Sequence, residues 1–418
     1  MTSIDRPAKD AAAEILPLSR NRNFILLWLG QSAAMLGARA TTIALPMLVL
    51  AVTHSAAKAG VTLFAAVVPG ALLQLHAGVL VDRFDRRLVM LTADVTRTAV
   101  FATVPVAHLL GHLTFPHLII VMFIDGIAGV FFGLAEKAAL PMVVPKEQIT
   151  VAFARNELRI RIATLSGPAI GGALFTVSPE LPFAFTAITY AISVATVFFI
   201  NAPLRAEQAS PRRKMRFELA EGMSWLRMNP FYLWCAVVVA GSNIVGTGFP
   251  LAAVVRLQDV GASPNIVGWT LGALGVGGLA GALIAPKIVP KVSVSQMMLA
   301  ARWVIAICLA GIAFAPSPLL CAVFMPPISV VAAFASISLG AARMRAIPDH
   351  LRGRVESASA LIGNTPAPLG NLLAGYAVAA FGATVGLVVL AGFMGVVATG
   401  ASLSRSIRVG PTSEKEIA

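Results

Sequence analysis

Charge is scarce in this chain. Asp, Glu, Lys and Arg together make up 12% of its 418 residues, while 57% are hydrophobic; a soluble domain carries about 25% charged and 45–50% apolar residues. A water-soluble fold is thereby excluded. Cysteine is rare: Cys235, Cys308 and Cys321 each stand within an apolar run, which argues for small packing residues and against a disulfide framework or a cysteine metal site. No Gly-x-x-x-x-Gly-Lys-Ser/Thr segment occurs, so no phosphate-cradling loop lets ATP drive work within the chain. The first 21 residues carry Asp5, Asp10 and Glu14 and no apolar core of the secretory type, which predicts insertion through internal spans with the amino terminus kept. Clustered intramembrane nucleophiles and metal ligand sets are missing too, which disfavours a membrane-embedded enzyme and leaves no cofactor to expect.

Long apolar runs are what the chain does have. One bilayer crossing needs about 20 apolar residues, because the hydrocarbon layer is roughly 30 Å thick and a helix rises about 1.5 Å per residue. Such runs lie at 24–51, 57–81, 88–109, 114–138, 151–176 and 181–201, and again at 231–257, 263–286, 294–314, 317–342, 353–380 and 383–404. This pattern predicts an all-α membrane protein of 12 transmembrane helices. It would be laid out as a tail (1–22), a six-helix bundle (23–201), a linker (202–229), a second six-helix bundle (230–404) and a tail (405–418). The linker opens with Pro211-Arg212-Arg213-Lys214 and continues with Phe217, Leu219, Met223, Trp225 and Leu226. It reads equally as a helix lying on anionic lipid or as a plain tether.

The formal charge of +13 would point to nucleic acid in a soluble protein. Here 24 of the 32 Lys and Arg residues fall in tails and connections on one side of the predicted membrane, and only Lys58 and Arg256 on the other. That asymmetry predicts a multi-pass protein of the cell membrane with both termini cytoplasmic, and no nucleic-acid partner. A monomer in the bilayer is expected.

Between the second and third runs stands Gly78-Val79-Leu80-Val81-Asp82-Arg83-Phe84-Asp85-Arg86-Arg87. It resembles the loop signature of the major facilitator superfamily, G-x-L-x-D-R-x-x-R-R, at every defining position. Within that superfamily, Asn23-Phe24 to Pro46, Gly78 to Arg97, Ala139-Leu140-Pro141 to Gly172, and Ile347 to Arg354 resemble the twelve-span drug and siderophore exporters, the group with macrolide-efflux and enterobactin-export proteins. The resemblance implies two pseudo-symmetric bundles rocking about a central crevice. It also implies a gate in which Gly78, Asp82, Arg83, Arg86 and Arg87 meet the eleventh helix, here preceded by Arg352-Gly353-Arg354. Asp94 and Arg97, three residues apart and able to pair, read as part of that gate, with substrate contact as the other option. Gly167-Pro168-x-x-Gly171-Gly172 resembles the superfamily's antiporter signature. Its glycines let a second backbone approach closely and its proline favours a bend, so it reads as a movable seal or as ordinary tight packing.

Ionisable groups at membrane depth are expensive and so are functional candidates. Arg39 lies about 22 Å above one boundary and Asp125 about 14 Å below the other, at 1.5 Å per residue. Their backbones then differ in height by only about 6 Å in a layer of roughly 30 Å. The resemblance implies that the first and fourth helices both line the central crevice, so an Arg39–Asp125 pair across it is expected, with Asp125 taking and releasing a proton as the pair breaks; a permanent structural bridge is the alternative. Glu157 and Arg161, four apart on the fifth span, suit either a crevice cluster or a bridge, and Glu136 with Lys137 reads as interfacial. Phe123, Phe131, Asn243, Phe249, Trp269, Met325 and Asn364 are candidates for a substrate wall. His108, His112 and His117 have no acid or cysteine to complete a metal set and read as loop residues. The expected function is secondary active efflux of an amphipathic small molecule, driven by the proton gradient; an uptake permease or uniporter of the same fold is the alternative.

Overall fold

A computed structural model describes residues 17–202, 204 and 215–410. The acids at 5, 10 and 14 and the segment Pro211-Arg212-Arg213-Lys214 lie outside the described residues. The first bundle consists of α1 (Arg22–Thr53), α2 (Ala56–Val81), α3 (Arg86–Leu109), α4 (Phe115–Val143), α5 (Ile149–Val177) and α6 (Leu181–Phe198). After α7 (Met215–Met228) comes the second: α8 (Pro230–Asp259), α9 (Pro264–Ile288), α10 (Val294–Phe314), α11 (Pro318–Ala346), α12 (Arg352–Asn364) and α13 (Pro368–Leu403), with a short α14 (Arg405–Val409) at its end. Helix starts fall where the side chains can serve as caps. Asn21, Ser55, Asp85, Ser293 and Ser317 each accept a hydrogen bond from the first turn of the helix that follows.

Among the described residues eleven helical stretches are long and apolar enough to cross a bilayer, the last being Asp349–Leu403 with 55 residues. An unbroken helix of that length would measure about 80 Å, more than twice the hydrocarbon layer. It reverses at Gly382, where φ is 83° and ψ 168°. A side chain added at Gly386 would meet the Val378 Cγ2 at 2.5 Å, although eight residues of straight helix span about 12 Å. The stretch therefore crosses twice, and the twelve crossings expected from the sequence are present. Because that backbone conformation is open essentially to glycine alone, Gly382→Ala should cost about 1–3 kcal/mol, seen as a lowered melting temperature of the purified protein in detergent.

Small residues set the packing within and between the bundles. Gly30 and Gly37, two turns apart on α1, lie against Thr196 and Thr189 of α6. Gly126 of α4 lies against the backbone of Ala66 in α2. The bundles touch along two seams: Gly60 of α2 against Gly375 of α13, and Gly172 of α5 against Gly268 of α9. Near the first seam Ile43 and Met47 of α1 share an apolar cluster with Val245 and Phe249 of α8. These approaches lie in the middle of the molecule or toward the face opposite the basic loops. On the basic face Asp82–Arg86, Asp349–Arg352 and Arg354–Glu221 each stay within their own half, and Gly133 and Gly340 front open space. Among the described residues the crevice between the bundles thus opens on the basic face and is sealed on the other. Helix α7 is no plain tether. Its Gly222 lies under the Arg354 carbonyl of α12, and its Glu221 pairs with the Arg354 guanidinium.

Candidate functional site

The buried charges of the first bundle converge on Arg97. Its Nε donates to Asp125 Oδ1 at 2.8 Å, and its Nη1 lies 3.7 Å from Asp94 Oδ1. Its Nη2 donates to the Tyr190 hydroxyl, with the guanidinium carbon 3.9 Å from that ring's centroid. Three helices build this group: α3 supplies Asp94 and Arg97, α4 supplies Asp125 and α6 supplies Tyr190. Asp94 is fully buried, and neither carboxylate oxygen has a hydrogen-bond partner. The buried Ser193 hydroxyl stands beside it. Asp125 keeps 17% of its side-chain surface exposed. Two carboxyl groups therefore share one guanidinium in a place where a full unpaired charge is costly.

The expected Arg39–Asp125 pair is corrected by this arrangement. The two residues do come to similar depth, but Asp125 turns into its own bundle toward α3 and α6. Arg39 occupies the opposite side of α1 from Gly30 and Gly37, with its backbone against Gly167. Among the described residues it makes no hydrogen bond or ion pair. Asp94 and Arg97 are likewise separate from the gate loop, where Asp85 caps α3 through the Arg87 amide at 2.8 Å. There Arg86 donates to Met142 Sδ at 2.6 Å and Arg87 donates to the Phe198 carbonyl. Tyr190 and Ser193 were not singled out by sequence reasoning. The available signal was a tyrosine, one of only three in the chain, inside an otherwise apolar span.

On α5 one short run packs in two directions. Gly167 and Gly171 lie against Arg39 and Ala40 of α1, while Gly172 and the Pro168 carbonyl lie against Gly268 of α9. Below it Glu157 and Arg161 pair at 2.5 Å, with Arg161 Nη1 3.5 Å from where a Gly278 side chain would begin. Glu136, read as interfacial, pairs at 2.8 Å with buried Arg159 and ties α4 to α5.

The wall candidates scatter. Phe249 and Met325 are 5% and 0% exposed, packed in one apolar cluster that also takes in Ile43 and Met47 of α1. Phe123 follows Asp125's helix on its far side and is 42% exposed; Trp269, at 65%, shares an outward stripe with Val276 and Leu283. Phe131 lines an apolar hollow of about 400 Å³ between α2, α3 and α4, together with Leu80, Phe84 and Leu88. Asn243 donates from Nδ2 to the Gly363 carbonyl and to Asn364 Oδ1, both at 3.0 Å, and so joins α8 to α12. Periodicity alone does not tell a crevice face from a lipid face, since both are apolar. At the sealed face, the His108 ring stands 3.4 Å from Glu180 and His117 hydrogen-bonds Thr103 at 2.8 Å. The Ser178 hydroxyl, ahead of His108, holds the Glu180 carboxyl below the usual carboxylate range.

The family described as transmembrane secretion effector matches residues 12–417. The multidrug efflux pump Tap of Mycolicibacterium fortuitum is 28% identical over 359 residues, covering 80% of this chain and 84% of that protein. Macrolide efflux protein A of Streptococcus pyogenes is 27% identical over 210 residues, 49% of this chain and 51% of that one. Among solved structures, the nucleoside transporter NupG superposes with a TM-score of 0.73 at 13% identity, covering 91% of this chain and 98% of that one. A bacterial homologue of the human lysosomal transporter Spinster, inward-facing and unoccupied, gives 0.73 at 14% identity, covering 93% and 97%. At such identity the structural likeness speaks for the fold alone.

Proposed function

The chain belongs to the transmembrane secretion effector family of the major facilitator superfamily, a transporter and not an enzyme, and on that premise we propose that it exports an amphipathic small molecule, such as an antibiotic or secreted metabolite, in exchange for protons. Export is supported by the relatives, which are efflux proteins by name. On this reading the basic face is cytoplasmic, as its excess of Lys and Arg favours. The crevice open on that face is then the loading state.

The observation that carries the proton half is the sharing of Arg97 between Asp125 and Asp94. When both acids are ionised, the site holds one negative charge in excess. A proton on Asp125, the more exposed of the two, removes that excess and frees Arg97 to close on Asp94. Such a group has two arrangements that differ by one proton, which is what coupling needs. Asp125 is next to Gly126, whose backbone seat on Ala66 links α4 to α2. Helix α2 carries the Gly60–Gly375 seam between the bundles, so a shift at the acid reaches the surface on which the bundles rock.

The test is drug accumulation in cells lacking their own pumps, with and without a protonophore. The parent chain should lower accumulation, and the protonophore should abolish the effect. Asp125→Asn should insert normally, yet lose at least about tenfold in gradient-driven export; general acid–base partners contribute on that scale or more. Full-rate, protonophore-sensitive export by Asp125→Asn would remove Asp125 from the coupling role. Drug accumulation raised by the parent chain would point to uptake instead.

A further inference from the structure

Arg39 is held at mid-membrane without a counter-charge. Helix α1 presents Trp28, Ser32, Met35, Arg39 and Thr42 as a half-buried stripe, on the side away from the Gly30 and Gly37 contacts with α6. One turn further along, Ile43 enters the cluster that seals the two bundles against Phe249 and Val245 of α8. Arg39 therefore sits at the apex of the crevice, directly below the seal. On α8, one turn below the Phe249 that Ile43 meets, Gly246 is exposed, and a side chain added there would meet nothing within 4 Å. The apex has room.

The acids that could neutralise Arg39 are occupied elsewhere. Asp94 and Asp125 are on Arg97, Glu136 on Arg159, Glu157 on Arg161, and Glu356 on Arg343. Arg39 lies 17 residues after the start of α1 and 14 before its end, about 26 and 21 Å along the axis, beyond the reach of a side chain snorkelling to either end of the helix. A guanidinium at this depth needs either water or a counter-charge. Once the crevice closes around cargo, that water leaves, and a lone cation at this depth becomes expensive. The cargo has to bring the missing charge.

We propose that the exported molecule carries an anionic group, a carboxylate or similar oxyanion, that docks on Arg39. A guanidinium matches such a group with two parallel hydrogen bonds, which a lysine cannot reproduce. A cationic drug would meet the same residue as a repulsive charge. This inference rests on the export reading above and assigns the substrate class of that site.

Proteoliposomes carrying the purified chain and an imposed proton gradient separate the two claims. The probes are carboxyfluorescein, an anion, and ethidium, a cation. Carboxyfluorescein should move about tenfold faster or more than ethidium. Arg39→Gln should lose about that factor for the anion alone, the amount expected when one charge-assisted pair is lost, and Arg39→Lys should retain part of it. A monodisperse size-exclusion peak for each variant shows that it has folded. Ethidium flux equal to or above that of the anion, or undiminished anion flux in Arg39→Gln, overturns the inference and leaves export standing. No gradient-driven flux of either dye overturns both.

Discussion

Arg97→Met should destabilise the protein by about 3–5 kcal/mol, because it leaves two carboxyl groups buried with no cation between them. Asp94 is already fully buried with both oxygens unbonded, so it could turn only to the neutral Ser193 hydroxyl beside it. Asp125 would lose its 2.8 Å bond and retain only the Tyr190 hydroxyl at 3.4 Å. The readout is a lower melting temperature and a lower yield of folded protein in mild detergent, together with loss of gradient-driven export. Adding Asp125→Asn to Arg97→Met removes one of the stranded charges and should recover a good part of the stability, though not export. The double-mutant cycle then measures the coupling of the pair directly. Equal melting temperatures for the parent and Arg97→Met would show that the acids are neutral in the folded state and that Arg97 is not their counter-charge.

Gly172→Leu should abolish transport and move the protein toward the conformation open on the face opposite the basic loops. A side chain at this position would run into the Pro264 carbonyl and would lie 3.0 Å from Gly268 Cα. Those are backbone atoms, which cannot rotate away, and the clash exists only while α5 and α9 are pressed together. Overpacking of this kind costs about 1–3 kcal/mol. Placed on one of two states, that cost changes their ratio by about 5–150-fold. Spin labels at His54 and Asn265, one on each bundle near the sealed face, should show a longer mean separation in the variant. An unchanged separation with normal transport would mean that the α5–α9 seam is not part of the moving surface. Gly171→Leu provides the contrast, since Gly171 packs on Ala40 within its own bundle. It should cost stability without changing that separation.

How far the site could be read from the sequence differs from residue to residue. Asp125, Asp94 and Arg97 stood out because ionisable groups inside apolar runs are costly wherever they end up. Their partnership did not stand out. Spacing on α3 joins Asp94 to Arg97, but which residue of another helix meets them depends on the rotation of α3 about its own axis. Tyr190 completes the group from a helix nearly a hundred residues further on. Arg39 and Asp125 agreed in depth and still face different ways, since depth follows from counting residues while direction follows from packing. The Gly167–Gly172 run was visible as a place of close approach. That its first and last glycines serve different neighbours, one inside the bundle and one across the seam, was not. Phe249 and Trp269 show the same limit: one is sealed in a core and the other is exposed on the outside of its helix, though both are large and apolar at helical spacing.

What the sequence determined by itself is the number and order of crossings, because the cost of burying an unpaired backbone or charge in hydrocarbon acts on each segment alone and needs no knowledge of its neighbours. It also determined which few residues would be expensive to bury. Only the tertiary structure decided who neutralises whom: that Arg97 serves two acids, that Arg39 serves none, and that the seam is closed on one face. Those outcomes depend on the phase of each helix against the next, and that phase is chosen by many small contacts between segments far apart in the chain.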